Sequence, residues 1–202
     1  MMVPFQYSNT TKAVLNMTKT VLDSLVLKCT TKLQKEMSLT KDKLISVNEA
    51  HNNLGAWYAS VVLANGGKCA LFVNEFTFFN FVVPNLKPDH FQNLDQVFKN
   101  RLVSVLSEHN IHGQQRKLIC PEFVPVQFAK TDSMKILGSV NDLSNHYKTW
   151  LTEMGITHNY TVEQIVHLMN RKPLASLSFL TPLEAIERNI NAGPNADLSY
   201  KI

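Results

Sequence analysis

The chain has 202 residues, 45% hydrophobic and 18% charged, with a formal net charge of +4 and three cysteines. This balance excludes an intrinsically disordered chain, and the length suits one domain with a proper hydrophobic core. No run approaches the ~20 apolar residues that span a bilayer, and Met1 to Gln6 lack a basic-then-apolar leader, so a cytoplasmic protein is expected.

Residues 1–24 read as an N-terminal extension, with a short helix from Asn9–Thr11 through Leu22. Leu25-Val26-Leu27-Lys28-Cys29 predicts a first strand, and Thr30 or Thr31 caps a short helix through Met37. Residues 38–55 are polar and carry no strong pattern. Trp57 to Leu63 is aromatic and β-branched, Asn65-Gly66 signals a tight hairpin, Cys69 to Val73 returns, and Phe78 to Val83 follows the Asn74–Thr77 turn. This is a three-stranded antiparallel meander.

Pro84 and Pro88 then open a helix through residue 109, with Phe91, Leu94, Phe98, Leu102 and Val105 on one stripe. Residues 113–125 read as a loop and Val126 to Ala129 as a further strand. Thr131 or Asp132 caps a long helix over residues 133–154, striped by Ile136, Val140, Leu143, Tyr147 and Trp150 and stopped at Gly155. Thr161–Gln164 and Thr181–Glu184 have capping-box spacing and start two more helices, and residues 191–202 are expected to fray. The expected fold is α+β: an antiparallel sheet of four to five strands with helices packed on one face. Residues 25–170 form the core domain and residues 171–202 a C-terminal helix and tail.

The chemistry-bearing residues form no decisive set. Cys29, Cys69 and Cys120 include no CxxC pair, so buried free thiols are expected rather than a zinc ribbon or a disulfide framework. His109 and His112 lie three apart, with Cys120 as a third conceivable ligand, but the HExxH spacing is missing. No metal or cofactor is signalled. Lys135, Ser139, Asp142, His146 and Thr149 share one helix face, where Asp142 and His146 are spaced to hydrogen-bond. Phe128 to Ser133 runs from strand to helix, with Lys130, Thr131 and Ser133 beside a helix N-terminus that suits an anion. Glu75 sits in a turn between two apolar strands and is a candidate nuclease-type carboxylate. Arg116-Lys117 and Arg171-Lys172 are small basic spots without interleaved aromatics.

Leu27 to Leu33, Cys69 to Thr77 and Phe128 to Asp142 together resemble a family of small uncharacterised bacterial proteins, a domain of unknown function, over about residues 25–170. The resemblance implies Asn74, Thr77, Lys130, Thr131, Ser133, Gly138 and Asn141 as motif positions. Met134 or Lys135 stands where an arginine is expected, which weakens an anion-binding role. Asn170 to Pro173 with Phe179 to Glu184 is similar to the tail of some transposases and integrases, without an acidic triad upstream.

Two functions fit. The first is a non-catalytic module that binds a protein or nucleic-acid partner, with plasmid, phage or defence biology as its expected setting, through Lys130–Asn141 and the Asn74–Thr77 turn. The second is a nuclease or phosphoryl-group hydrolase using Glu75, Asp142, His146 and Lys130. No membrane partner is expected, and homo-oligomerisation is compatible with either.

Overall fold

In the computed structural model, which describes residues 25–46, 55–121, 124–154 and 159–192, five strands form one sheet in the order β4-β3-β2-β1-β5. They are β1 Leu25–Cys29, β2 Trp57–Ala64, β3 Gly67–Asn74, β4 Asn80–Val83 and β5 Val126–Lys130. Seven helices accompany them among these residues: α1 Thr31–Glu36, α2 Pro88–Gln92, α3 Leu94–Glu108, α4 Gly113–Ile119, α5 Met134–Thr149, α6 Val162–Asn170 and α7 Pro182–Ala192. The extension expected over residues 1–24 and the tail beyond Ala192 lie outside the described residues.

The meander forms as its residues dictate. Asn65 and Gly66 both adopt positive φ, 49° and 72°, as the centre of a two-residue hairpin requires. That turn sets the Ala64↔Gly67 register, and β4 follows antiparallel to β3.

The sheet is mixed rather than antiparallel. β1 pairs in parallel with β2 on one side and with β5 on the other. Tight turns produce antiparallel neighbours, whereas β1 reaches β2 through α1 and a 3-10 turn at Lys41–Lys43, and β5 follows α2 to α4. All five residues of β1 are buried, as an interior strand requires.

Helices cover both faces, not one. Asn80 and Phe81 are neighbours on β4 and so point to opposite sides. Phe81 meets Phe98 of α3 at 5.9 Å between ring centroids, inside a cluster with Trp57 and Phe72. The Tyr147 hydroxyl of α5 donates to Asn80 Oδ1 at 2.6 Å from the other side. The four rings of the first cluster are essentially inaccessible to solvent. Burying each stabilises the fold by roughly 1.5–3 kcal/mol.

Three local expectations also change. The helix over residues 88–109 is two helices broken at Asn93. The loop expected over residues 113–125 contains α4, entered through Gly113 at φ 56°. Ser133, not Thr131 or Asp132, caps α5 by accepting from Ile136 N–H. The capping box at Thr161 forms, and Thr181 and Glu184 make the reciprocal bonds at the start of α7.

The outer edge of β4 is closed by a side chain. Asn170, fully buried at the end of α6, accepts from Asn80 N–H at 2.9 Å and donates to Asn80 O at 2.7 Å. The amide thus stands in for a neighbouring strand and satisfies an otherwise open edge.

Candidate functional site

β1 and β5 lie side by side in parallel, and the helices that follow them leave in different directions. α1 ends where Glu36 pairs with Lys68, and alternation along β3 places Lys68 on the Phe72 face. α5 packs on the opposite face, against Asn80. The helices thus part at the carboxyl ends of the two strands, the usual ligand position in open sheets with parallel strands.

A charged network lies at these strand ends. Lys28 aligns with Tyr58 on β2 and Ala129 on β5. Its Nζ lies 2.7 Å from Glu75 Oε2 and 2.8 Å from Asp132 Oδ2. It also stands 5.5 Å from the centroid of the Tyr58 ring. The Tyr58 hydroxyl donates to Asp132 Oδ1 at 2.6 Å and accepts from Ser133 N–H at 3.2 Å. Glu75 Oε1 accepts from Ala56 N–H at 2.6 Å. Lys28 and Glu75 are buried, with side chains 7% and 5% exposed, while Asp132 at 46% opens the network to solvent.

Local geometry holds each member in place. Asn74 is fully buried and its Oδ1 accepts from Phe76 N–H, Thr77 N–H and Thr77 Oγ1. That Asx turn aims Glu75 back under the sheet. Gly55, at φ 71°, passes so close that an added Cβ would sit 2.8 Å from Glu75 Cγ and Oε1. Only glycine fits both the conformation and the space.

The electrostatics move the pKa values of Lys28, Asp132 and Tyr58 further from neutral pH. Burial alone would lower the Lys28 pKa, but hydrogen bonds to Asp132 and Glu75 and both charges raise it above its ordinary 10.5. Burial alone would raise Asp132, but hydrogen bonds from Lys28 and Tyr58 and the Lys28 charge hold it below 3.8. Burial, then the bond to Asp132, pushes the Tyr58 phenol upward. At neutral pH Lys28 is a cation, Asp132 an anion and Tyr58 a neutral phenol.

The sequence-derived candidates fall in three places. Glu75 joins the network. Asn74 and Thr77 are buried and build its turn, and Ser133 caps α5 beside it. Lys130, Gly138 and Asn141 are exposed, and Thr131 is half-buried, along the junction between β5 and α5. Asp142 and His146 line a separate cavity with Ser139. No hydrogen bond or ion pair joins Asp142 to His146, and none joins either to Glu75. Sequence reasoning missed Lys28, Tyr58 and Asp132; a lysine inside the apolar run Leu25–Cys29 was the available signal. The three cysteines are free and buried, and burial pushes the Cys29 thiol up to about 12. His109 is buried against Phe79 and His167 rather than presented to a ligand. No helix among the described residues is long and apolar enough to cross a membrane.

These features define a mixed-sheet α+β domain with a charged centre at the carboxyl ends of adjacent parallel strands. The chain belongs to the family described as a domain of unknown function, DUF6933, whose match spans residues 26–185, from β1 into α7. No curated protein and no solved structure matches the chain.

Proposed function

We propose that the chain is a non-catalytic binding module that docks a protein partner on the junction from Lys130 to Asn141. The network of Lys28, Glu75, Asp132 and Tyr58 holds that junction rigid. The observation that carries this reading is Met134, 83% exposed on the first turn of α5 with Lys130 and Lys135 exposed beside it. A pliable apolar side chain framed by charge, on a backbone fixed from beneath, suits the centre of a protein interface.

The titration directions favour binding over catalysis. A general acid or base works best with a pKa near the operating pH. Lys28, Asp132 and Tyr58 are each shifted further from it. Glu75, central to a hydrolase reading, has both oxygens engaged by Lys28 and Ala56.

A photo-crosslinking residue placed at Met134, with Leu118 (57% exposed) as the control position, tests the proposal in cells that make the protein. The expected result is a discrete protein adduct at position 134, absent at 118 and weakened by Lys130→Glu. A nuclease-sensitive adduct at 134 would instead make the partner a nucleic acid. Equal labelling at both positions would overturn the docking surface.

A further inference from the structure

Beside that docking surface, with which it shares Ser139, a cavity of about 250 Å³ lies between α5, the end of α6 and the segment that follows it. Its floor is apolar, formed by Phe78, Leu143, Met169 and Leu174. Its walls carry Ser139, Asp142 and His146 from α5, and Lys172 and Ser176 from the opposite segment. The side chains of Asp142, His146 and Lys172 make no ion pair or hydrogen bond with any described residue. An anion and a cation therefore flank an apolar floor without neutralising each other.

The backbone around this cavity is strained. Phe78 adopts φ 53°, and Ser178 and Phe179 adopt 52° and 65° in succession. Phe78 and Phe179 are the two aromatic residues with positive φ among the described residues. Bulky residues rarely occupy this region, and where they do the strain tends to sit at ligand sites. The segment from Leu174 to Leu180 is fixed by backbone bonds, among them Phe179 N–H to Leu174 O at 2.9 Å and Leu174 N–H to Leu180 O at 3.1 Å. The cavity wall is thus preformed.

We propose that this cavity binds a small zwitterion with an apolar body, of the free α-amino acid class. Asp142 receives the ammonium group. Lys172 and the Ser176 hydroxyl receive the carboxylate. The side chain rests on Phe78, Leu143 and Met169. The volume falls below the usual range for larger ligand sites, which suits a single amino acid better than a nucleotide.

The test is an NMR titration of the methyl-labelled full chain with L-leucine, read at Met169 and Leu143. Two analogues each lack one charge: 3-methylbutylamine and 4-methylpentanoate. Saturable shifts with L-leucine are expected, with affinity falling about tenfold or more for either analogue. Asp142→Asn and Lys172→Gln, both at exposed positions, should each weaken L-leucine binding to a similar degree. No shift at millimolar L-leucine would overturn the proposal. So would equal binding of 4-methylpentanoate, or binding unaffected by both substitutions. The crosslink at position 134 is read separately, so failure here leaves the docking surface standing.

Discussion

Replacing Lys28 by methionine removes the cation of the network and leaves Glu75 buried, among the described residues, against a single donor, the Ala56 N–H. Removing one partner of a buried ion pair typically costs about 3–5 kcal/mol, because the other charge stays behind. The Lys28–Glu75 pair meets that condition, with both side chains nearly inaccessible. Asp132 adds little, since it is 46% exposed and solvent screens it. Lys28→Met should therefore destabilise the fold by about 3 kcal/mol, the lower end of that range. With a urea slope of about 2 kcal/mol/M, the unfolding midpoint drops by roughly 1.5 M. Adding Glu75→Gln removes the stranded charge and should recover about half of the loss. A Lys28→Met cost under about 1 kcal/mol, or no recovery in the double variant, would refute the reasoning.

Gly55→Ala places a methyl group at 2.8 Å from Glu75 and Phe76 in a left-handed conformation. It should lower stability by more than about 2 kcal/mol in urea denaturation and perturb the NMR signals of Lys28 and Asp132. Asn170→Ala exposes the β4 edge and strands buried backbone groups at Asn80; a loss of about 2–4 kcal/mol is expected, with faster hydrogen exchange at Asn80. Stability should also depend on pH in a defined way. Burial holds His109 below its ordinary 6.5, so its contribution is present above 6.5 and lost as pH falls through the lower folded value. The depressed Asp132 acts likewise below 3.8, and the raised Lys28 contributes fully below 10.5 and loses its effect as pH rises through its higher folded value. The urea midpoint should be flat from 6.5 to 9.0 and fall on both sides, because above 9.0 the buried thiols Cys29, Cys69 and Cys120, and then the Tyr58 phenol, ionise first in the unfolded chain; a midpoint unchanged at acid pH would contradict these assignments.

Elements specified by local chemistry were legible in the sequence. Asn65-Gly66 announced the hairpin because two positive φ angles select those residues, and Thr161 and Thr181 announced helix starts through reciprocal side-chain bonds. The parallel pairing of β1 was not legible, because nothing local in Leu25–Cys29 encodes which strand lies beside it. The two-sided helical cover was hidden for the same reason. Glu75 stood out as a carboxylate between apolar strands. Its partners did not: Lys28 is 47 positions away in sequence and Asp132 is 57, and only the fold brings them together. The sequence offers Thr131 or Asp132 as the helix cap, yet Ser133 takes that role and leaves Asp132 to Lys28 and Tyr58.

The most direct test of the central claim is the position-134 crosslink repeated in the Lys28→Met, Glu75→Gln double variant, with folding checked by circular dichroism. A scaffold without chemistry predicts that the same partner adduct persists while the domain remains folded. Loss of the adduct from a folded double variant whose NMR signals from Lys130 to Asn141 are unshifted would show that the network itself engages the partner, and would contradict the account.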